Sequence, residues 1–274
     1  MAAYYGTRAL AGAAMMAASV KMARSEHSGP APAPPSQQTI PGSVELHCSP
    51  LSPSCSTVTA FFRKLKVDCK VVDISPLKGY EIKKAVVDGQ EVSNIKQLVR
   101  DMHHARASSH PFPPLERAEE DQWCEWAEKV LHPNVEINLF RSPADSKQSM
   151  ESVIERMGVT GMNSTLLRNV GSLYLYMTAK FTKRKIIQKA KGEESVSLND
   201  KSALRIALNS FLEQWMSAVG NREMMGGAEP NLADLAVFGV LRSVEGSETF
   251  REVLEQTRVS SWYHRVAAAT NMDK

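Results

Sequence analysis

What most limits the fold is a change of period along the chain. Between residues 43 and 102 the apolar residues form short runs that switch between a two-residue repeat and a helical one; beyond residue 114 only the helical repeat remains. Val44, Leu46 and Cys48 alternate as on a half-buried strand, and Ser52-Pro53 opens a segment in which Val58, Phe61, Phe62 and Leu65 recur at helical spacing. Residues 70–74 are short and β-branched, like a second strand. Residues 85–92 read as two very short strands about the turn Asp88-Gly89. Ile95, Leu98, Val99 and Met102 then close the unit as a helix. The order is strand, helix, strand, short helix, two strands, helix.

After a polar loop at 108–114 the chain reads as helical throughout. Leu166, Val170, Leu173, Tyr174, Met177 and Phe181 share one face, as do Leu204, Leu208, Phe211, Leu212, Trp215 and Val219. Both stripes are expected to be core. With 43% apolar residues in 274, the chain has enough material for a small mixed domain over 43–107 and an all-helical one over 115–270.

The first 42 residues differ in kind. Arg8, Lys21 and Arg24 face Glu26 alone, in a segment rich in Ala and Met, so this stretch carries most of the formal net charge of +3. Residues 1–28 have the composition of an organelle-targeting segment. Mitochondrial import is the expectation, with another organelle as the alternative. Residues 29–42, with Pro30, Pro32, Pro34, Pro35 and Pro41, form a Pro-rich linker. The uncharged stretch between Arg8 and Lys21 is 12 residues, short of the roughly 20 a membrane-spanning helix needs, so no transmembrane span is expected.

The remainder is nearly neutral, which argues against nucleic acid as a partner. Its densest cationic run, Lys180, Lys183, Arg184, Lys185, Lys189 and Lys191, continues into Glu193 and Glu194 as on a solvated helix face. Cys48, Cys55, Cys69 and Cys124 are too few and too irregularly spaced for a disulfide framework, so a reducing compartment is expected. No set at metal-ligand spacing emerges: His103 and His104 are neighbours, and with His110 they read as surface histidines.

One stretch carries a specific signal, residues 224–242 (MMGGAEPNLADLAVFGVLR). Asn231 can accept a bond from the Asp234 N–H while the Asp234 carboxylate bonds back at the first turn, a reciprocal cap that starts a buried helix. The stretch resembles the helical-domain signature of glutathione transferases, and in detail it is similar to the type 2 prostaglandin E synthase group. QWCEWA at 122–127, HPNV at 132–135, WMSAVG at 215–220 and SWY at 261–263 match that group too. The resemblance implies an α+β fold, a degenerate thioredoxin-like domain followed by an all-α glutathione-transferase-type domain. Trp123, Trp126, Trp215 and Trp262 have a packing role sufficient in itself.

The same resemblance locates the chemistry. Such proteins set Cys-Pro-x-Cys at the N-terminus of the first helix, where the helix dipole favours a thiolate. Here the matching residues are Ser52-Pro53-Ser54-Cys55, with a hydroxyl in place of the first sulfur. Ser52 is also a good helix cap followed by Pro in the first turn. Cys55 keeps the second sulfur. The proline expected before the third strand is missing, since none lies between Pro76 and Pro111, and the acid-Ser pair that holds glutathione is Val92-Ser93. Candidate catalytic residues are therefore Ser52 and Cys55, with Ser93 the candidate glutathione ligand.

Two functions follow. The first is a glutathione-transferase-like protein whose thiol site is lost, needing no cofactor and serving as a non-catalytic accessory or structural subunit of a mitochondrial assembly, or as a homodimer. The second is a surviving glutathione-dependent enzyme, an isomerase of prostaglandin H to prostaglandin E or a transferase, in which Ser52 steadies the glutathione thiolate.

Overall fold

The computed structural model describes residues 40–107, 114–189 and 200–273. Residues 1–28, expected to be a targeting segment, most of the Pro-rich stretch after them, His110 and the acidic end of the cationic run lie outside them.

Four strands, β1 (Ser43–Cys48), β2 (Asp68–Asp73), β3 (Lys84–Val87) and β4 (Gln90–Glu91), form one sheet in the order β2-β1-β3-β4. β2 runs parallel to β1, with Leu46 opposite Val71, while β3 is antiparallel to it, with Leu46 opposite Ala85. The inward side chains of β1, Val44, Leu46 and Cys48, are buried as their alternation requires. The β3–β4 turn puts Asp88 at φ 48° and Gly89 at φ 80°, the left-handed pair that a two-residue hairpin demands. Asp88 also accepts the Gly42 and Ser43 N–H groups at 2.9 Å, tying the end of the linker to the sheet. Helix α1 (Pro53–Lys64) connects β1 to β2, and α2 (Ile95–Ala107) follows β4.

The rest is helical. α3 (Pro114–Trp126) runs through a π-helical turn, Ala127–Leu131, into α4 (His132–Leu139). After α5 (Pro143–Met157), α6 (Gly161–Leu166) passes through a second such turn, Leu167–Gly171, into α7 (Ser172–Lys189). α8 (Lys201–Val219), α9 (Leu232–Ser243), α10 (Glu248–Gln256) and α11 (Val259–Ala269) complete the chain. Among the described residues no helix is long and apolar enough to cross a membrane.

α9 is the axle of the molecule. The Asn231 side chain accepts the Asp234 N–H at 3.0 Å, and Asp234 accepts the Asn231 N–H at 3.1 Å. The same carboxylate takes N–H bonds from Met225, Gly226 and the Trp262 indole, each at 2.9 Å, so it is a buried structural hub. The four tryptophans stack edge to face around it: Trp126 on Trp123 at 5.0 Å, Trp123 on Trp215 at 5.3 Å and Trp215 on Trp262 at 5.4 Å. α9 lies directly on α1 because Gly239 has no side chain; Thr57 reaches over it to donate to Leu235 O at 3.2 Å.

One expectation is overturned. The α8 stripe is buried save for the half-buried Phe211, but Leu166, Val170, Leu173, Tyr174, Met177 and Phe181 are exposed, as is Met162 at 90%. The face turned inward is Leu167, Gly171, Leu175 and Ala179, with Met150 of α5 packed over Gly171. The π-helical turn takes up one extra residue per turn and so rotates the face that reaches the core.

Candidate functional site

The first turn of α1 is built by Ser52. Its Oγ accepts the Cys55 N–H at 3.1 Å, which starts the helix, and donates to the carbonyl of Tyr80, which pins the loop before β3. Ser52 is fully buried, so its one proton is already committed inside the protein. Cys55 is joined to Cys48, at the end of β1, in a disulfide, whereas the sequence reading makes it a candidate catalytic thiol in a chain without a disulfide framework. The strand end and the helix start converge on the same buried point, a contact that spacing alone does not reveal.

Ser93 stands apart. It is exposed in the loop before α2, and the cap of that helix is Asn94, which accepts the Gln97 N–H at 3.0 Å. Just before β3, Lys83 N–H donates to His47 O of β1 at 2.9 Å, extending the pairing of the two inner strands. Thus Ser52 and Cys55 lie together at the root of α1, while Ser93 makes no hydrogen bond to either.

Beside that root a cleft of about 250 Å³ opens between the sheet domain and the helices. Pro53, Ser54, Thr57 and Val58 of α1 form one wall, Leu232, Ala236 and Val240 of α9 another. Tyr80 and His132 close the floor, their rings edge to face at 5.7 Å. Across the mouth, Lys96 of α2 pairs with Glu128 at 3.3 Å, and Arg100 stands next to it. Cys124 supplies a sulfur to the wall. Sequence reasoning missed this cleft, although Cys124 and His132 sit inside two stretches, QWCEWA and HPNV, singled out above.

The electrostatics make the cleft quiet. Burial, reinforced by Glu120 and Asp121, pushes the Cys124 thiol up to about 12, so it stays protonated. Burial pushes His132 down to about 4, leaving a neutral imidazole at physiological pH. The Tyr80 phenol is held well above its ordinary value, again chiefly by burial and then by Glu136. The arrangement can receive a small, largely apolar molecule under a charged rim, and burial holds Cys124, His132 and Tyr80 in their neutral forms. His103 is not a surface histidine: half-buried, it bonds the buried carboxylate of Glu120 at 3.1 Å and links α2 to α3.

No family model matches the chain. It is 30% identical over 184 residues to prostaglandin E synthase 2 of Danio rerio, covering 66% of this chain and 46% of that protein. To prostaglandin E synthase 2 of Mus musculus it is 26% identical over 271 residues, covering 79% and 67%. The chain thus spans about half the length of the first relative. Among solved structures, a point mutant of human glutathione-S-transferase T1-1 in its apo form superimposes with a TM-score of 0.50 at 15% identity, over 84% of this chain and 85% of that one, a likeness of fold.

Proposed function

We propose that the chain is a relative of prostaglandin E synthase 2 on a glutathione-transferase-like fold, and that it works without catalysis, as an accessory or structural subunit of a mitochondrial assembly. The observation that carries the reading is the apolar stripe on α6 and α7. Met162, Leu166, Val170, Leu173, Met177 and Phe181 recur at intervals of three and four, the spacing with which one helix receives another. At 1.5 Å per residue the stripe runs for about 30 Å, more apolar surface than a monomer usually leaves in water. The occupant proposed is an apolar helix face of a different protein of the assembly.

The state of the thiol site supports the same reading. Ser52 has its proton engaged by Tyr80 O, Cys55 is bonded to Cys48, and Cys124 is held as a thiol. A glutathione thiolate would have to displace a buried internal bond to reach Ser52. The mitochondrial part of the proposal rests on the composition of residues 1–28.

The enzymatic alternative, a glutathione-dependent isomerase or transferase using Ser52 or Cys55 with Ser93 on the tripeptide, is favoured by the cleft beside the α1 root. Native electrophoresis of gently solubilised mitochondria separates the two. The subunit reading expects a species far above the 30.2 kDa of one chain, lost when Leu166 and Leu173 are both changed to Gln. A species of one or two chains, unaffected by those changes, refutes it. Glutathione turnover by the purified protein would refute the closed thiol site.

A further inference from the structure

A second cavity, of about 120 Å³, lies in the helical domain and is unlike the first. Its lining is polar, and three helices begin at it: α5 behind its cap Ser142, α8 behind Asp200 and α10 behind Ser247. Helix N-termini present positive dipole ends and amides without intrahelical acceptors, here including those of Glu248 and Thr249. Four cationic side chains, Arg141, Lys201, Arg205 and Arg251, face two carboxylates, Asp145 and Glu248, in the lining.

Arg205 makes this more than a gathering of helix ends. It is only 7% exposed. Its Nη2 donates to Thr249 Oγ1 at 3.1 Å, and its Nε stands 2.7 Å from Glu252 as an ion pair without an aligned hydrogen bond. Its Nη1 is buried with no acceptor. A buried guanidinium N–H left unsatisfied is costly, and a native fold normally fills such a position. The Arg141 charge also bears on Arg205, adding to burial in pulling the guanidinium below its ordinary value, against Glu252 and Glu248. Arg141 spends part of its own charge on Asp145 at 2.7 Å, and Lys201 on Glu248 at 3.2 Å. Arg251 is exposed and makes no ion pair among the described residues.

We propose that this recess binds a tetrahedral oxyanion of the phosphate or sulfate class, either free or as the phosphate of a small metabolite, with Arg205 Nη1 at its base and Arg141 and Arg251 beside it. The anion supplies the missing acceptor and relieves two like charges at once. The cavity is roomy enough for such an ion together with a little water. Glu248 and Asp145 keep the wall from being purely cationic, which favours a ligand held by directed hydrogen bonds over a diffuse cloud of counterions.

The test is calorimetric titration of the full chain with inorganic phosphate, against potassium chloride at matched ionic strength. Saturable binding at millimolar concentration or below, absent with chloride, is expected. Arg251→Gln and Arg141→Gln should each weaken it by about tenfold or more, the effect of losing one charge-assisted bond. Glu248→Gln should tighten it, because it removes a repelling charge from the wall. Circular dichroism checks that each variant is folded, and Arg251 and Glu248 are exposed enough to keep the test valid should changes at Arg205 or Arg141 unfold the protein. Glycerol phosphate binding more tightly than inorganic phosphate assigns the site to a metabolite; the reverse assigns it to the free ion. Equal heats with chloride and phosphate, or phosphate affinity unmoved in both Arg251→Gln and Glu248→Gln, would overturn the proposal.

Discussion

Gly239→Ala should unfold this protein more easily, although alanine is the better helix former. A β-carbon at residue 239 would stand 2.2 Å from Thr57 Oγ1, 2.7 Å from Pro53 O and 3.0 Å from Thr57 N. Carbon contacts are comfortable near about 3.5 Å or beyond, and two of these three atoms belong to the backbone of α1. No side-chain rotation therefore clears the clash, and α1 must move bodily by about 1 Å relative to α9. Overpacking of this kind costs about 1–3 kcal/mol or more. Losing the single Thr57 hydroxyl proton shared between Pro53 O and Leu235 O adds about 1 kcal/mol. Against this stands a propensity gain of about 1 kcal/mol. The net is a loss of about 1–3 kcal/mol, a fall in Tm of roughly 2–12 °C for a domain of this size. Urea denaturation followed by circular dichroism reads it directly. Adding Thr57→Ala should recover only part of the loss, since Pro53 O remains in the way. A Gly239→Ala protein as stable as the parent would show that α1 and α9 are not in the close contact on which the geometry of the cleft depends.

Two further outcomes follow from the same reasoning. Ser52→Ala removes a helix cap and leaves the Tyr80 carbonyl without its donor, so it should destabilise by about 2–4 kcal/mol in urea titrations; a variant of unchanged stability that loses a glutathione-dependent activity would assign Ser52 to catalysis instead. His132 titrates near 4 in the folded protein against an ordinary 6.5, so between those values the unfolded chain binds the extra proton. Stability should fall as pH drops from about 6.5 to about 4, by up to about 3 kcal/mol, and the dependence should flatten below. His132→Gln should remove that slope, and an identical slope in parent and variant would exclude His132 as its source.

The features legible in the sequence are those whose cause is local. Asn231 and Asp234 declare a helix start because each partner lies three residues from the other, and the alternation of Val44, Leu46 and Cys48 declares a strand for the same reason. What the sequence hides is every bond closed through space. That Asp234 also gathers N–H groups from Met225, Gly226 and Trp262, or that Ser52 donates to Tyr80, depends on elements brought together only by folding. The cleft was hidden likewise, since Lys96, Cys124, His132 and Val240 come from four different helices and each alone has a plain structural reading.

The misassigned stripe is the most instructive case, because periodicity reports that a helix face is apolar and not what covers it. Along α6 and α7 two faces are apolar. One carries small or slender residues, Gly171, Leu175 and Ala179, and is pressed against the protein's own α5; the other carries Met162, Leu173, Met177 and Phe181 and meets solvent. A helix needing only one buried side would place polar residues on the second, as α8 does at Glu213 and Ser217. Burying the six side chains of that stripe, Leu166 and Val170 included, is worth on the order of 10 kcal/mol before the costs of association. That outward apolar surface, together with the Cys48–Cys55 bond at the start of α1, is what the proposed subunit role rests on.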